Sequence, residues 1–151
     1  MEQQNIRNKH SILQLYDTIL PVLAEHIHRN LAPVLPLFHD FKLERLIDTW
    51  TKAPDADPDE EISVENGNVQ QLGLKLRLEG FMKPGVETFD LAKDLLFKLE
   101  RSSYTVGPGK HSSWLEKGYL QKWETSEYKM IAEKWSEELV DELMQRLEKL
   151  T

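Results

Sequence analysis

Between Arg101 and Trp123 the chain interleaves Tyr104, Trp114, Tyr119 and Trp123 with Arg101, Lys110, His111, Lys117 and Lys122. Aromatic faces stack on flat rings and cations meet phosphates, so this is the pattern that a single-stranded nucleic acid or a phosphorylated ligand requires. Only Glu116 opposes the basic residues here, although the chain as a whole carries a net charge of −7. That overall charge argues against a surface that grips nucleic acid everywhere, but it leaves a local positive patch open. The competing use of the same residues is burial. Tryptophan is large and mostly buried in folded proteins, so Trp114 and Trp123 are expected first to anchor the segment.

Within this stretch Gly107-Pro108-Gly109-Lys110-His111-Ser112 looks like the tail of a phosphate-binding loop. The full loop needs glycine where Tyr104 stands and serine or threonine where His111 stands, so nucleotide binding by that device is not expected. Glu124, Glu127, Glu138 and Asp141 have the spacing of the paired acids with which all-helical pyrophosphohydrolases hold magnesium. Here both pairs fall on or beside one helix, too far apart along its axis to share an ion, and a solvated acidic face is the simpler reading. The five histidines show no metal-ligand spacing: His26 and His28 are two apart and leave a helix on different sides, while His10, His39 and His111 are scattered. Asp55, Asp57 and Asp59 imitate a calcium loop, yet Glu60 replaces its glycine and Asn66 its closing glutamate. With no cysteine there is neither a disulfide nor a thiolate ligand, and no local nucleophile signature is visible.

The elements that must position these residues begin with the carboxy-terminal stretch from Ser126 to Leu150. Ile131, Trp135, Leu139, Leu143 and Leu147 follow one another at single helical turns, and acids occupy the opposite face, so this is an amphipathic helix that must pack its apolar stripe. Asn5 to Leu31 carries Ile12, Tyr16, Ile19, Leu23, Ile27 and Leu31 at gaps of three and four, a register that survives Pro21 and predicts one kinked helix. After Ala32-Pro33-Val34-Leu35-Pro36, a second helix is expected to run to about Trp50 through Phe38, Phe41, Leu46 and Ile47. Residues 54–67 form an acidic surface loop. Leu72, Leu74, Leu76 and Leu78 alternate strictly with polar residues after the turn signal Asn66-Gly67, which says strand. Their leucine-only apolar set and their Lys, Arg and Glu partners favour helix, and the buried helix is preferred. Lys83-Pro84-Gly85 is a turn, Val86 to Arg101 a helix through Phe89, Ala92, Leu96 and Leu99, and 102–112 a Gly-Pro-Gly loop. Ser113 and Glu116 have capping-box spacing and start a further short helix.

The sum is a mainly α chain: one domain over 1–151, a compact bundle of five to six helices, with a short β-hairpin within 61–80 as the local alternative. An apolar fraction of 40% with 30% charged residues describes a folded, water-soluble domain, and the chain shows no apolar run long enough to span a membrane. A cytoplasmic setting fits the missing cysteine. The expected function is non-enzymatic: a regulatory or adaptor subunit acting through helix-mediated contacts with a protein partner or a second copy, needing no cofactor or metal. Nucleic-acid or phospholigand binding by residues 101–123 is the first alternative, and a metal-dependent enzyme with a site assembled across helices is the second. A helix-turn-helix over Asn68 to Glu100 is disfavoured because its reading helix would be net negative.

Overall fold

A computed structural model describes residues 6–52, 59, 61, 63–85, 87–109 and 112–150, with side chains placed for all of these except 48–52 and 150. An amino-terminal helical rod consists of α1 (Lys9–Gln14), one π-helical turn (Leu15–Ile19) and α2 (Leu20–Asn30). Five strands follow: β1 (Phe38–Lys52), β2 (Val69–Phe81), β3 (Leu91–Leu99), β4 (Ser103–Gly107) and β5 (Leu115–Gly118). The chain then enters α3 (Thr125–Leu150). Every strand pairs antiparallel with its sequence neighbour, giving one sheet in the order β1-β2-β3-β4-β5. The rod and α3 pack on each other and cover one face of this sheet. None of the described helices is long and apolar enough to cross a membrane.

The mainly α bundle is therefore corrected to a sheet with helices on one side. Leu72, Leu74, Leu76 and Leu78, preferred as a buried helix, lie in β2 and are at most 1% exposed. Helix propensities separate ordinary residues by no more than about 0.7 kcal/mol each, whereas burying one leucine contributes roughly 1.5–3 kcal/mol, so period-two burial outweighs propensity. Gly73 sits in this strand because a side chain there would reach within 2.0 Å of the Leu95 carbonyl oxygen on β3. The expected helix over Val86 to Arg101 is replaced by β3, which buries Leu91, Leu95, Phe97 and Leu99 at alternate positions. Lys93 occupies the inward place between Leu91 and Leu95 and disguises the alternation; its ammonium reaches Glu138 on α3 at 3.0 Å.

The expected second helix is β1, whose Leu43 and Ile47 pack against the core opposite Leu76 and Leu72. The short helix predicted from Ser113 and Glu116 is β5, where the Ser113 hydroxyl turns to the Leu115 carbonyl instead of capping a helix. A helix-turn-helix between Asn68 and Glu100 is likewise ruled out, since β2 and β3 occupy that range. The Asn66-Gly67 turn does form, with Gly67 N–H bonded to Val64, but it precedes β2 and does not join two paired arms. Lys83-Pro84-Gly85 lies between β2 and β3 as expected. Gly80, at φ +71°, changes the direction of β2 so that Phe81 joins Phe38 and Phe89 in a buried aromatic group. Most of the acidic stretch from 54 to 62 lies outside the described residues, as do Lys110 and His111 and the side chain of Trp50.

The rod explains how Pro21 is tolerated. A proline offers no N–H to the turn before it, and here the helix loosens into the π turn: Leu20 N–H bonds to Leu15, five residues back rather than four. Tyr16 C=O thereby loses its helical donor, and Arg45 of β1 replaces it with Nη1 at 3.2 Å. The same guanidinium lies 4.5 Å from the centre of the Tyr16 ring. On α3, Ile131, Trp135 and Leu139 are fully buried, Leu143 is buried and Leu147 half-buried against the core. β4 faces β3 only over Leu96 to Leu99, so Asp94 lies beyond that ladder, and the Trp135 indole N–H donates to its carbonyl at 3.1 Å.

Replacing Trp135 by phenylalanine keeps most of the packing but strips that carbonyl of its donor. Urea unfolding is expected to show a loss of about 1–3 kcal/mol; a change below about 0.5 kcal/mol, the range of an ordinary surface substitution, would mean that the indole bond contributes nothing.

Candidate functional site

The basic-aromatic segment folds inward. Tyr104 on β4 is 1% exposed, Tyr119 and Trp123 are buried, and Trp114 is half-buried with Lys134 Nζ 5.9 Å from its ring centre. Tyr104 and Trp123 both stack on Phe97, and Trp123 stacks in turn on Tyr128 of α3, with ring centres 4.9 Å apart. The Trp123 indole N–H donates to the Tyr104 hydroxyl at 2.7 Å, and the Tyr119 hydroxyl donates to Glu100 C=O. Burial pushes the Tyr104 phenol up to about 12, with the Trp123 bond only partly offsetting it, so this hydroxyl stays neutral across the physiological range.

The cations separate by role. Arg101 and Lys122 are exposed, while Lys117 points into the helix-covered side of β5 and is buried. Its ammonium donates to Lys122 C=O and to Glu127 Oε1, both at 2.7 Å. Partial burial acts to raise the Glu127 carboxyl, but bonds from Lys117 and from the Glu124 backbone N–H hold it on balance below its ordinary value. Lys117 is thus committed to an internal pair and stitches β5 to the first turn of α3.

Between the rod and this aromatic group lies a cleft of about 240 Å³. Leu15, Thr18 and Ile19 of the π turn form one wall; Tyr104, Tyr119, Trp123 and Tyr128 form the other, with Lys122 on the lining. Of the residues singled out from sequence, Tyr104, Tyr119, Lys122 and Trp123 meet here. Arg101 and Trp114 do not line it. Thr18 and Tyr128 carried no sequence signal for this role; only Pro21, which unsettles the turn before it, hinted at an irregular wall.

The acids do not converge. Glu127 pairs with Lys117 and Glu138 with Lys93. Glu133, Glu137 and Asp141 line a shallow groove of about 300 Å³ beside Asn30, spaced one helical turn apart. His26 stacks on Tyr128 and His28 lies against Phe41, so neither is turned toward a common ion. Among the described residues no group of three or more histidines, aspartates and glutamates is placed to hold a metal.

A second surface was not singled out from sequence at all. β1 stands at one end of the strand order and β5 at the other. β5 has 4 residues and ends in a turn; β1 has 15 and pairs with β2 along one side only. Its outer backbone groups meet no strand among the described residues. Leu37, just before this edge, and Phe41, within it, are 40% and 37% exposed. No protein-family model, no curated protein and no solved structure matches the chain.

A Glu127→Gln variant should lose roughly 1.5–3 kcal/mol at pH 7, the range for a hydrogen bond to a charged group. Because the Glu127 carboxyl is lowered in the fold, its contribution is present above the ordinary glutamate value of 4.5 and disappears as pH falls through the lower folded value. Urea curves at pH 7 and pH 3 should therefore show the gap between wild type and variant closing in acid. An undiminished gap at pH 3 would rule out the Lys117 pairing as its source.

Proposed function

We propose that this chain is a non-enzymatic interaction domain that acts by accepting a strand along the outer edge of β1. The observation that supports the reading is the length of that edge: a strand of 15 residues that among the described residues pairs on one side only, at the margin of a sheet whose other margin is 4 residues long. An unpaired edge offers a row of backbone donors and acceptors that an incoming strand satisfies, with side-chain pairs supplying selectivity. This moves the interaction surface away from Ile131, Trp135, Leu139 and Leu143, which pack inside the protein. The absence of cysteine fits a reducing, cytoplasmic setting for such a domain.

The cleft favours a second reading, in which a small phosphorylated ring compound inserts between the π turn and Tyr128 with Lys122 meeting the phosphate. Its test is quenching of tryptophan fluorescence by phosphorylated aromatic compounds at two salt concentrations, and saturable quenching that weakens with salt would support it.

For strand addition, a synthetic peptide with the sequence from Phe38 to Asp48 serves as the probe. Hydrogen exchange read at single residues should show new protection at every second amide of β1 as the peptide saturates. If exchange in β1 is unchanged at millimolar peptide, the edge does not take a strand and the reading fails.

A further inference from the structure

We infer that the natural occupant of the β1 edge is β1 of a second copy, joined antiparallel about a two-fold axis through Leu43. The inference rests on the strand-addition reading and adds to it the partner and the register.

A closed pair of identical chains places the same strand on both sides of the seam. Opposed residues in an antiparallel pair share a face, so if both helical layers lie on one side of the joined sheet the axis must pass through a residue. The charges on β1 then discriminate among the available centres. An axis at Lys42 sets Lys42 against Lys42 and Asp40 against Glu44. One at Glu44 sets Glu44 against Glu44. One at Arg45 opposes two guanidinium groups, and one at Leu46 or Ile47 carries the seam into the register break between Asp48 and Lys52. Like charges placed directly opposite destabilise a strand pair, and β1 already bears two such pairs against β2, Asp40 opposite Glu79 and Lys42 opposite Arg77, so a seam that adds more is disfavoured.

Two centres remain. An axis at Phe41 pairs Asp40 with Lys42, but it sets Arg45, Leu46 and Ile47 against residues 35–37, a 3-10 turn containing Pro36, which has no N–H to give. An axis at Leu43 keeps the whole span from Phe38 to Asp48 within strand. On the solvent side it sets Lys42 opposite Glu44 twice, once on each side of the axis. On the helix side it sets Leu43 against Leu43 and brings the exposed Phe41 opposite Arg45, a guanidinium already engaged with one aromatic ring, that of Tyr16. Mixed charge protects an edge from indiscriminate pairing when it conflicts at every register; here it agrees at Phe41 and at Leu43, and of those two only the Leu43 axis keeps the seam within strand.

The cysteine-free sequence makes the register directly testable. In the full chain, a single Leu43→Cys substitution puts two thiols on the axis, where cross-strand Cα atoms lie about 4.5–5.5 Å apart, within disulfide reach. Mild oxidation should give a covalent dimer. Lys42→Cys, about 8 Å from its own copy by strand spacing, and Leu46→Cys, farther still, should not cross-link.

Light scattering over a dilution series should show a monomer–dimer equilibrium. Lys42→Glu and Glu44→Lys, both at exposed positions, should each weaken it about ten- to a hundredfold. The double variant should restore it. A monomer at every concentration with no cross-link in the Leu43→Cys variant, or cross-linking of the Leu46→Cys variant instead, overturns the inference. If the Phe38–Asp48 peptide still protects β1 in that case, the edge accepts strands from elsewhere and only the assignment of the second copy falls. If the peptide also fails, both readings fall.

Discussion

A sheet that shows water one face and two helices the other holds together only if each strand puts apolar residues on the helix side at every second position. Here that constraint is met most fully in the centre. Leu72, Leu74, Leu76 and Leu78 of β2 and Leu95, Phe97 and Leu99 of β3 meet the apolar stripe of α3 and the inward residues of the rod in one core. The concession at Lys93 is tolerable because its long apolar stem lies in the core while its charge reaches Glu138 at the margin. Gly73 follows from the same geometry, since the approach of the Leu95 carbonyl leaves no space for a side chain.

Around this core the irregular features are answers to backbone groups that regular structure leaves unpaired. Pro21 removes a donor and the π turn displaces another; Arg45 reaches from the sheet to supply the missing bond at Tyr16. Asp94 extends past the end of β4 and the Trp135 indole serves its carbonyl. Asn68 links the approach to β2 by accepting from Ser63 N–H and donating to Glu61 C=O. Each of these side chains ties two stretches that no ladder of backbone bonds connects. The π turn also sets the wall of the cleft opposite Tyr128, so the proline that disturbs the helix shapes the aromatic recess into which the predicted binding residues were drawn.

The two margins of the sheet are unequal in a way that bears on function. At β5 the chain turns back at once into α3, and Lys117 fastens that margin to Glu127 and the Lys122 carbonyl. At β1 a long strand carries alternating charge on its solvent side and half-buried leucine and isoleucine on its helix side. A short, fastened margin has little to offer a partner. A long one with an ordered charge pattern has both backbone bonds and selectivity.

What the sequence alone determined is what local periodicity and turn chemistry can specify. The last helix, the helical rod that continues past Pro21 and the turn at Lys83-Pro84-Gly85 were all readable, because each depends on neighbours within a few residues. The aromatic residues from Tyr104 to Trp123 were visible as a group whose alternative uses were burial and binding, and the competition between the two is decided by partners such as Phe97 and Tyr128 that lie outside the segment. Tertiary structure alone decided that residues 38–52, 91–99, 103–107 and 115–118 are strands, and that the alternation legible over 72–78 belongs to a strand and not to a buried helix. Outside 103–107 the leucines, lysines and glutamates of these stretches suit a helix locally, and at β3 a single inward lysine hides the alternation. Strand pairing is a contact between distant stretches, so only the assembled sheet, with one face buried beneath two helices, could make period two the lower-energy choice.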